Sequence, residues 1–191
     1  QVEVADARKV KALAPLAELH GDGLADLIIG ADNADPGSDS NAGESYVVFG
    51  KASSTPVDLE VLGAGGFRLD GIDAYDSSGH SVSGAGDVNG DGFDDLIIGS
   101  RGDYYSNFPG TNYVIFGKAS GFDMDANITS VDGKNGFRID VNVFSWGGSP
   151  VDNAGDVNGD GLDDVIVRGD RGFDIVFGKS SRVDAVMNVS S

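Results

Sequence analysis

Two nine-residue stretches, "DVNGDGFDD" at 87–95 and "DVNGDGLDD" at 156–164, place oxygen-bearing side chains at their first, third, fifth and ninth positions. These are Asp87, Asn89, Asp91 and Asp95 in one, and Asp156, Asn158, Asp160 and Asp164 in the other. A hard cation such as Ca2+ asks for several oxygens from one tight loop. The seventh position, Phe93 or Leu162, adds a main-chain carbonyl because its side chain need not face the ion. Glycine at the sixth, Gly92 or Gly161, permits the sharp turn that bulkier residues resist. Both loops are expected to hold calcium, the plainer alternative being Asp-Gly turn chemistry without an ion.

The twelfth positions are Ile98 and Val167, where an EF-hand closes with a bidentate Glu. Short β-branched runs follow instead, "DLIIG" from 95 and "DVIV" from 164. Both are too brief for helices, so each loop joins two strands.

A third copy, "ELHGDGLAD" at 18–26, keeps Asp22 and Asp26 but carries Glu18 and His20 for the first Asp and the Asn, with Leu24 at the seventh place. Glu is a methylene longer than Asp and imidazole is a poor calcium ligand, so this loop is expected to bind weakly or not at all. The copies are evenly set, 69 residues from Asp22 to Asp91 and 69 from Asp91 to Asp160. Such a period marks a propeller or a solenoid.

Each repeat reads as four strands. In the second they are 80–88, 95–100, 112–118 and 136–141. "KALAPLAEL", "DLIIGAD", "ESYVVFGK" and "GFRLDG" match them in the first, and "SPVDNAGDV", "DVIVRGD", "FDIVFGK" and "VDAVMNV" in the third. The fold reading is all-β: one β-propeller module over 1–191 with three blades of four antiparallel strands, at about 11–71, 80–141 and 149–189. Clusters of Gly, Ser and Asp, such as 35–43, are loops rather than linkers.

Composition fits this picture. The chain has 30 Gly, no Cys and a formal net charge of −18. Excess acid argues against nucleic acid and anionic membranes as partners. No apolar run is long enough for a membrane span, and an export signal is expected to lie outside the chain, because Gln1 opens it without a charged leader and apolar stretch. Calcium loops of modest charge suit the calcium-rich cell exterior, so an extracellular or cell-surface location is expected.

The Phe-Gly pairs 49–50, 116–117 and 177–178, the strands "GFRLDG" and "GFRID", and the loop "GAGDVNGDG" resemble the FG-GAP repeats of integrin α subunits and of bacterial surface proteins. The likeness runs from about 11 to 179. It implies a calcium-binding β-propeller that recognises cell-surface proteins or glycans, with ligands meeting the loops on one propeller face. It departs from the family after the second strand, where Gly-Ala-Pro gives way to "GAD" at 30–32, "GSR" at 99–101 and "RGD" at 168–170. A family propeller commonly has seven units. Three leave an open arc with exposed edges, expected either to continue in the missing blades of a longer chain or to pair with itself, two arcs closing a six-bladed ring. Alternative roles are a non-catalytic targeting portion of a secreted hydrolase and a self-assembling surface-layer or matrix component.

Two Arg-Gly-Asp tripeptides, Arg101-Gly102-Asp103 and Arg168-Gly169-Asp170, are candidate adhesive loops, the first with Tyr104 and Tyr105 beside it. They fall out of register when the calcium loops are aligned, which favours chance. No catalytic set emerges: His20 and His80 are the only histidines, and of Asp94–Asp95 or Asp163–Asp164 one member already serves the metal. The protein is read as no enzyme. Phe67 and Phe137 are expected in the core between blades and Trp146 at a blade junction. Arg68 and Arg138 read as solvated charge or as bridges to acidic loops.

Overall fold

The computed structural model describes residues 2–3, 10–102, 110–120, 122, 125–128, 131–141, 150–169, 172–180 and 184–189. After a short β1 (Val2–Glu3), the first blade runs through β2 (Ala12–Leu16), β3 (Asp26–Ala31) and β4 (Glu44–Val48). The two-residue β5 (Val57–Asp58) and a single 3-10 turn (Gly63–Gly65) then lead into β6 (Gly66–Asp70). The second blade is β7 (Ser78–Gly86), β8 (Asp95–Ser100) and β9 (Thr111–Ile115), followed by β10 (Asp125–Asn127) and β11 (Gly136–Val141). The third is β12 (Val151–Gly155), β13 (Asp164–Arg168) and β14 (Phe173–Val176), with β15 (Val186–Val189) after it. The protein is all-β, a partial propeller of antiparallel sheets.

Register explains the stacking. Across the first blade Ala14, Ile28, Val47 and Phe67 stand in one row, and Ser83, Ile97, Val114 and Phe137 form the same row in the second. Ile28, Val47 and Phe67 share a core cluster with Val82, Leu96, Ile98, Tyr113 and Ile115 of the second blade. Ile97, Val114 and Phe137 share another with Val151, Val165, Val167 and Val176 of the third. The trailing face of each blade is thus covered by the leading face of the next. The run "LII" in β8 is apolar without alternation because both of its faces are buried, Leu96 and Ile98 on one side and Ile97 on the other. Phe67 and Phe137 are buried in these seams as the sequence predicts.

A second device ties the blades together at their outer edges. The connection between a blade's third and fourth strands reaches back and pairs in parallel with the last strand of the preceding blade. β10 lies on β6, Asp125 opposite Arg68, and β15 lies on β11, Val186 opposite Arg138. β5 pairs in the same sense with β1. This corrects the reading of "VDAVMNV" as the fourth strand of the third blade, because β15 is a fifth, parallel strand on the second. Among the described residues the third blade has three strands, and β14 pairs only with β13.

Candidate metal centre

The loop 87–95 connects β7 to β8, and 156–164 connects β12 to β13. Both are shaped by their own first aspartate. Asp87 accepts from the amides of Gly90 (2.7 Å) and Asp91 (3.1 Å) on one oxygen and of Gly92 (2.9 Å) on the other. Asp156 accepts from Gly159 (2.6 Å), Asp160 (3.1 Å) and Gly161 (2.8 Å) in the same pattern. These main-chain bonds, led by that from Gly161, hold the Asp156 carboxyl below its ordinary range. Gly92 and Gly161 both sit at φ 91°, a left-handed conformation that opposes any side chain.

The inner positions repeat as closely. Asn89 Oδ1 accepts from Asp91 N at 2.8 Å while its Nδ2 donates to Asp91 Oδ2 at 3.0 Å. Asn158 and Asp160 are joined at the same distances. At the ninth place Asp95 is fully buried, taking the amides of Val88 (3.0 Å) and Gly117 (2.9 Å), and Asp164 takes those of Val157 and Gly178, both at 2.9 Å. Burial pushes the Asp95 carboxyl up to about 8, and the nearby charges of Asp91 and Asp87 add to the rise.

The Phe-Gly pairs have a visible purpose here. Gly117 and Gly178 donate to the ninth-place aspartates, as Gly50 does to Asp26 at 2.8 Å. A Cβ on Gly178 would stand 2.5 Å from the Asp163 carbonyl oxygen and 2.9 Å from that of Val88, so only glycine fits beside both loops. The seventh-place side chains turn away from the loop interior: Phe93 lies over Gly21 of the loop before it, and Leu162 over Gly90.

Each loop offers only oxygens: two Asp carboxylates, an Asn amide oxygen and a seventh-place carbonyl, closed by the buried ninth-place carboxylate. That set fits a hard divalent cation, and oxygens already bound to one amide keep a second lone pair. Among the described residues no three carboxylates or histidines converge closely enough to enclose an ion as they stand; the carboxylates are drawn instead to the loop amides.

The first loop is built differently. His20 stacks on Phe49 with ring centroids 4.2 Å apart. It turns Nδ1 to Asp26 (3.1 Å) and Nε2 to Asp22 (3.2 Å), engaging two of the carboxylates an ion would need. Glu18 reaches the amide of Gly23 at 3.2 Å, and Leu24 is partly exposed.

Sequence reasoning missed the eighth place of the loops. Asp94 accepts from the amide of Glu18 at 3.3 Å and Asp163 from that of Asp87 at 2.9 Å, each clasping the loop of the preceding blade. The doubled Asp in both strong loops, against Ala25-Asp26 in the first, was the available signal. His80 belongs to another seam bond, Nδ1 to Asp32 at 2.7 Å. Among the described residues Arg68 and Arg138 pair along their own strands, with Asp70 at 2.6 Å and Asp140 at 2.7 Å, and Arg68 also comes within 4.0 Å of Glu44 on the adjacent strand.

Of the tripeptides, Arg101 is exposed but Gly102 is buried, its amide donating to the Asp76 carbonyl at 3.0 Å. Arg168 closes strand β13 instead of lying in a loop, and Gly169 is buried. Asp103, Tyr104, Tyr105, Trp146 and Asp170 lie outside the described residues.

Stacked, mainly antiparallel sheets repeated along the chain, each with an Asp-rich loop between its first two strands, define a partial β-propeller. Residues 78–115 match the family model of the FG-GAP repeat. The chain is 27% identical over 152 residues to integrin alpha-4 of Xenopus laevis, covering 79% of this chain and 13% of that one. It is 31% identical over 99 residues to integrin alpha-2 of Mus musculus and 35% over 99 residues to integrin alpha pat-2 of Caenorhabditis elegans, each covering 51% of this chain and 8% of the relative. The chain is similar to FG-GAP repeat and integrin alpha β-propeller proteins, and it spans about a tenth of the length of the curated relatives it matches. Among the described residues no helix is long and apolar enough to cross a membrane.

Proposed function

We propose that this chain is a calcium-stabilised recognition module of the cell exterior, a stretch of propeller that meets a protein or glycan at the cell surface. One observation carries the metal assignment: loops 87–95 and 156–164 fold to the same hydrogen-bond framework, bond for bond, around the same oxygen set. Asp87, Asn89, Asp91, Asp95 and the Phe93 carbonyl would hold one Ca2+. Asp156, Asn158, Asp160, Asp164 and the Leu162 carbonyl would hold the other. The ion supplies charge neutralisation, which a chain of net charge −18 needs most where its carboxylates crowd. The first loop keeps His20 between its aspartates and takes no ion.

Similarity to integrin alpha chains supports an adhesive role outside the cell. The buried glycines of the two Arg-Gly-Asp tripeptides leave them out of the reading. Calorimetric titration of the chelator-treated chain tests the metal assignment. Two ions are expected for the parent and one each for Asp91→Ala and Asp160→Ala, with a lower melting temperature in calcium for both variants. Unchanged stoichiometry in the variants sinks it.

A further inference from the structure

We infer that loops 87–95 and 156–164 take up calcium cooperatively, with Asp163 as the positioning residue that couples them. The inference rests on the calcium reading of the two loops and adds to it the dependence of each site on the other. Two hydrogen-bonded links join the loops. In the first, Asp163 holds Asp87 through both of its main-chain groups: Asp163 Oδ2 accepts from the Asp87 amide at 2.9 Å, and the Asp163 amide donates to the Asp87 carbonyl at 3.2 Å. Asp87 is the first-place carboxylate of one loop. Asp163 stands between the seventh-place Leu162 and the ninth-place Asp164 of the other. Gly86 leaves room for this clasp, since a Cβ there would collide with the Asp163 carboxylate.

The second link runs between the ninth-place carboxylates. Asp164 accepts from the Gly178 amide at 2.9 Å, and the next residue, Lys179, donates its amide to the Val88 carbonyl at 2.8 Å. Val88 in turn donates its own amide to Asp95 at 3.0 Å. Asp95 and Asp164 are both fully buried, where water does not compete for these bonds. The innermost oxygen of each loop is thus tied to that of the other through three residues of main chain.

Coupling follows from what the links share. Loop 156–164 can hold an ion only with the Leu162 carbonyl and the Asp164 carboxylate fixed, and these flank Asp163. Loop 87–95 can do so only with Asp87 fixed, and Asp163 grips Asp87. Each loop therefore orders main chain that the other also needs in place. The conformational entropy lost in ordering that shared stretch falls on the first ion, and the second meets loops already set. By linkage the effect is equal in both directions. The first loop supplies a comparison within the molecule. Asp94 clasps Glu18 in the same manner, its carboxylate on the Glu18 amide and its amide on the Glu18 carbonyl, both at 3.3 Å. Loop 18–26 takes no ion in this reading, so that clasp has no second site to serve.

Calorimetric calcium titration of the full chelator-treated chain, beside Asp91→Ala and Asp160→Ala, tests this. Each variant keeps one site, and the product of their two association constants is what independent loops would give for two ions. The two-ion constant of the parent should exceed that product by about fivefold or more. Asp163→Ala, made in the parent and in both single-site chains, should bring the excess down toward one. Asp163→Asn keeps an oxygen to accept from the Asp87 amide and should retain most of it. Asp94→Ala, at the same place in a loop whose neighbour takes no ion, should leave the excess as it was. Amide exchange gives a second reading that needs no Asp163 variant: in Asp91→Ala, where only loop 156–164 is intact, calcium should slow exchange of the Asp87 amide. Two ions bound with no excess in the parent overturns the coupling and leaves the calcium reading standing. So does an excess that Asp163→Ala leaves untouched, or an Asp87 amide that calcium does not protect. A parent that binds no calcium, or single-site variants that lose no ion, overturns both.

Discussion

Asp163 accepts a hydrogen bond from the amide of Asp87 at 2.9 Å, so loop 156–164 clasps loop 87–95 across a blade seam. Asp163 stands at the eighth place of its loop, outside the oxygens set to meet an ion. Asp163→Ala should therefore leave the calcium stoichiometry at two while lowering the urea midpoint. A half-buried bond to a charged acceptor contributes about 1–3 kcal/mol. An unchanged midpoint would remove the clasp from the account of what holds the arc together.

The raised pKa of Asp95 sets a direction for pH dependence. Its folded value, about 8, lies above the ordinary 3.8, so the native state binds this proton more tightly than the unfolded chain does. Its contribution to stability is fully present below about pH 4 and is lost as pH rises through about 8. A bound cation favours the ionised carboxylate and reverses this. In chelator, the urea midpoint should fall between about pH 5 and 8; in calcium that fall should shrink. Calcium affinity should rise over the same range with protons released, measured by titration in buffers of different ionisation enthalpy. An affinity flat with pH contradicts the role given to Asp95.

The seam also predicts what the Phe-Gly glycine does. A methyl group on Gly117 would press on the carbonyl oxygen of Asp94 and stand 2.7 Å from that of Leu19, both of them backbone atoms that cannot swing aside. Gly117→Ala should cost about 2 kcal/mol or more in urea unfolding. Gly172, which faces open space, is the control, and its replacement by Ala should be close to neutral. Equal effects at the two positions would mean that the glycine is not there for close approach.

Much of the fold was legible because the 69-residue spacing of Asp22, Asp91 and Asp160 repeats one strand-loop-strand unit, and "DLIIG" reads as a strand buried on both faces. The assignment of 186–189 failed for a physical reason. A short β-branched segment announces a strand but not its partner, and parallel pairing to β11 is set by tertiary packing around Met187 and Val189. The seam role of Asp94 was equally hidden, since a carboxylate beside a metal ligand looks the same in sequence whether it faces solvent or a neighbouring blade. The misfit of the first loop was legible residue by residue, in Glu18 and His20.

That misfit can be reversed. His20 fills the first loop by placing a ring nitrogen against each of Asp22 and Asp26 and stacking on Phe49. The Glu18→Asp, His20→Asn double variant withdraws the ring and restores the set of loop 87–95. Asn at 20 is then free to bond Asp22 as Asn89 bonds Asp91, and a shorter carboxylate at 18 to gather the loop amides as Asp87 does. Gly21 and Gly23 already hold positive φ, 70° and 84°, close to the 78° and 91° of Gly90 and Gly92, so the backbone needs little rearrangement. Calorimetry should count three calcium ions instead of two. A count still at two would mean that side-chain identity at 18 and 20 is not what separates the loops. The cause would then lie at the eighth place, where Ala25 stands in the first loop against Asp94 and Asp163 in the others.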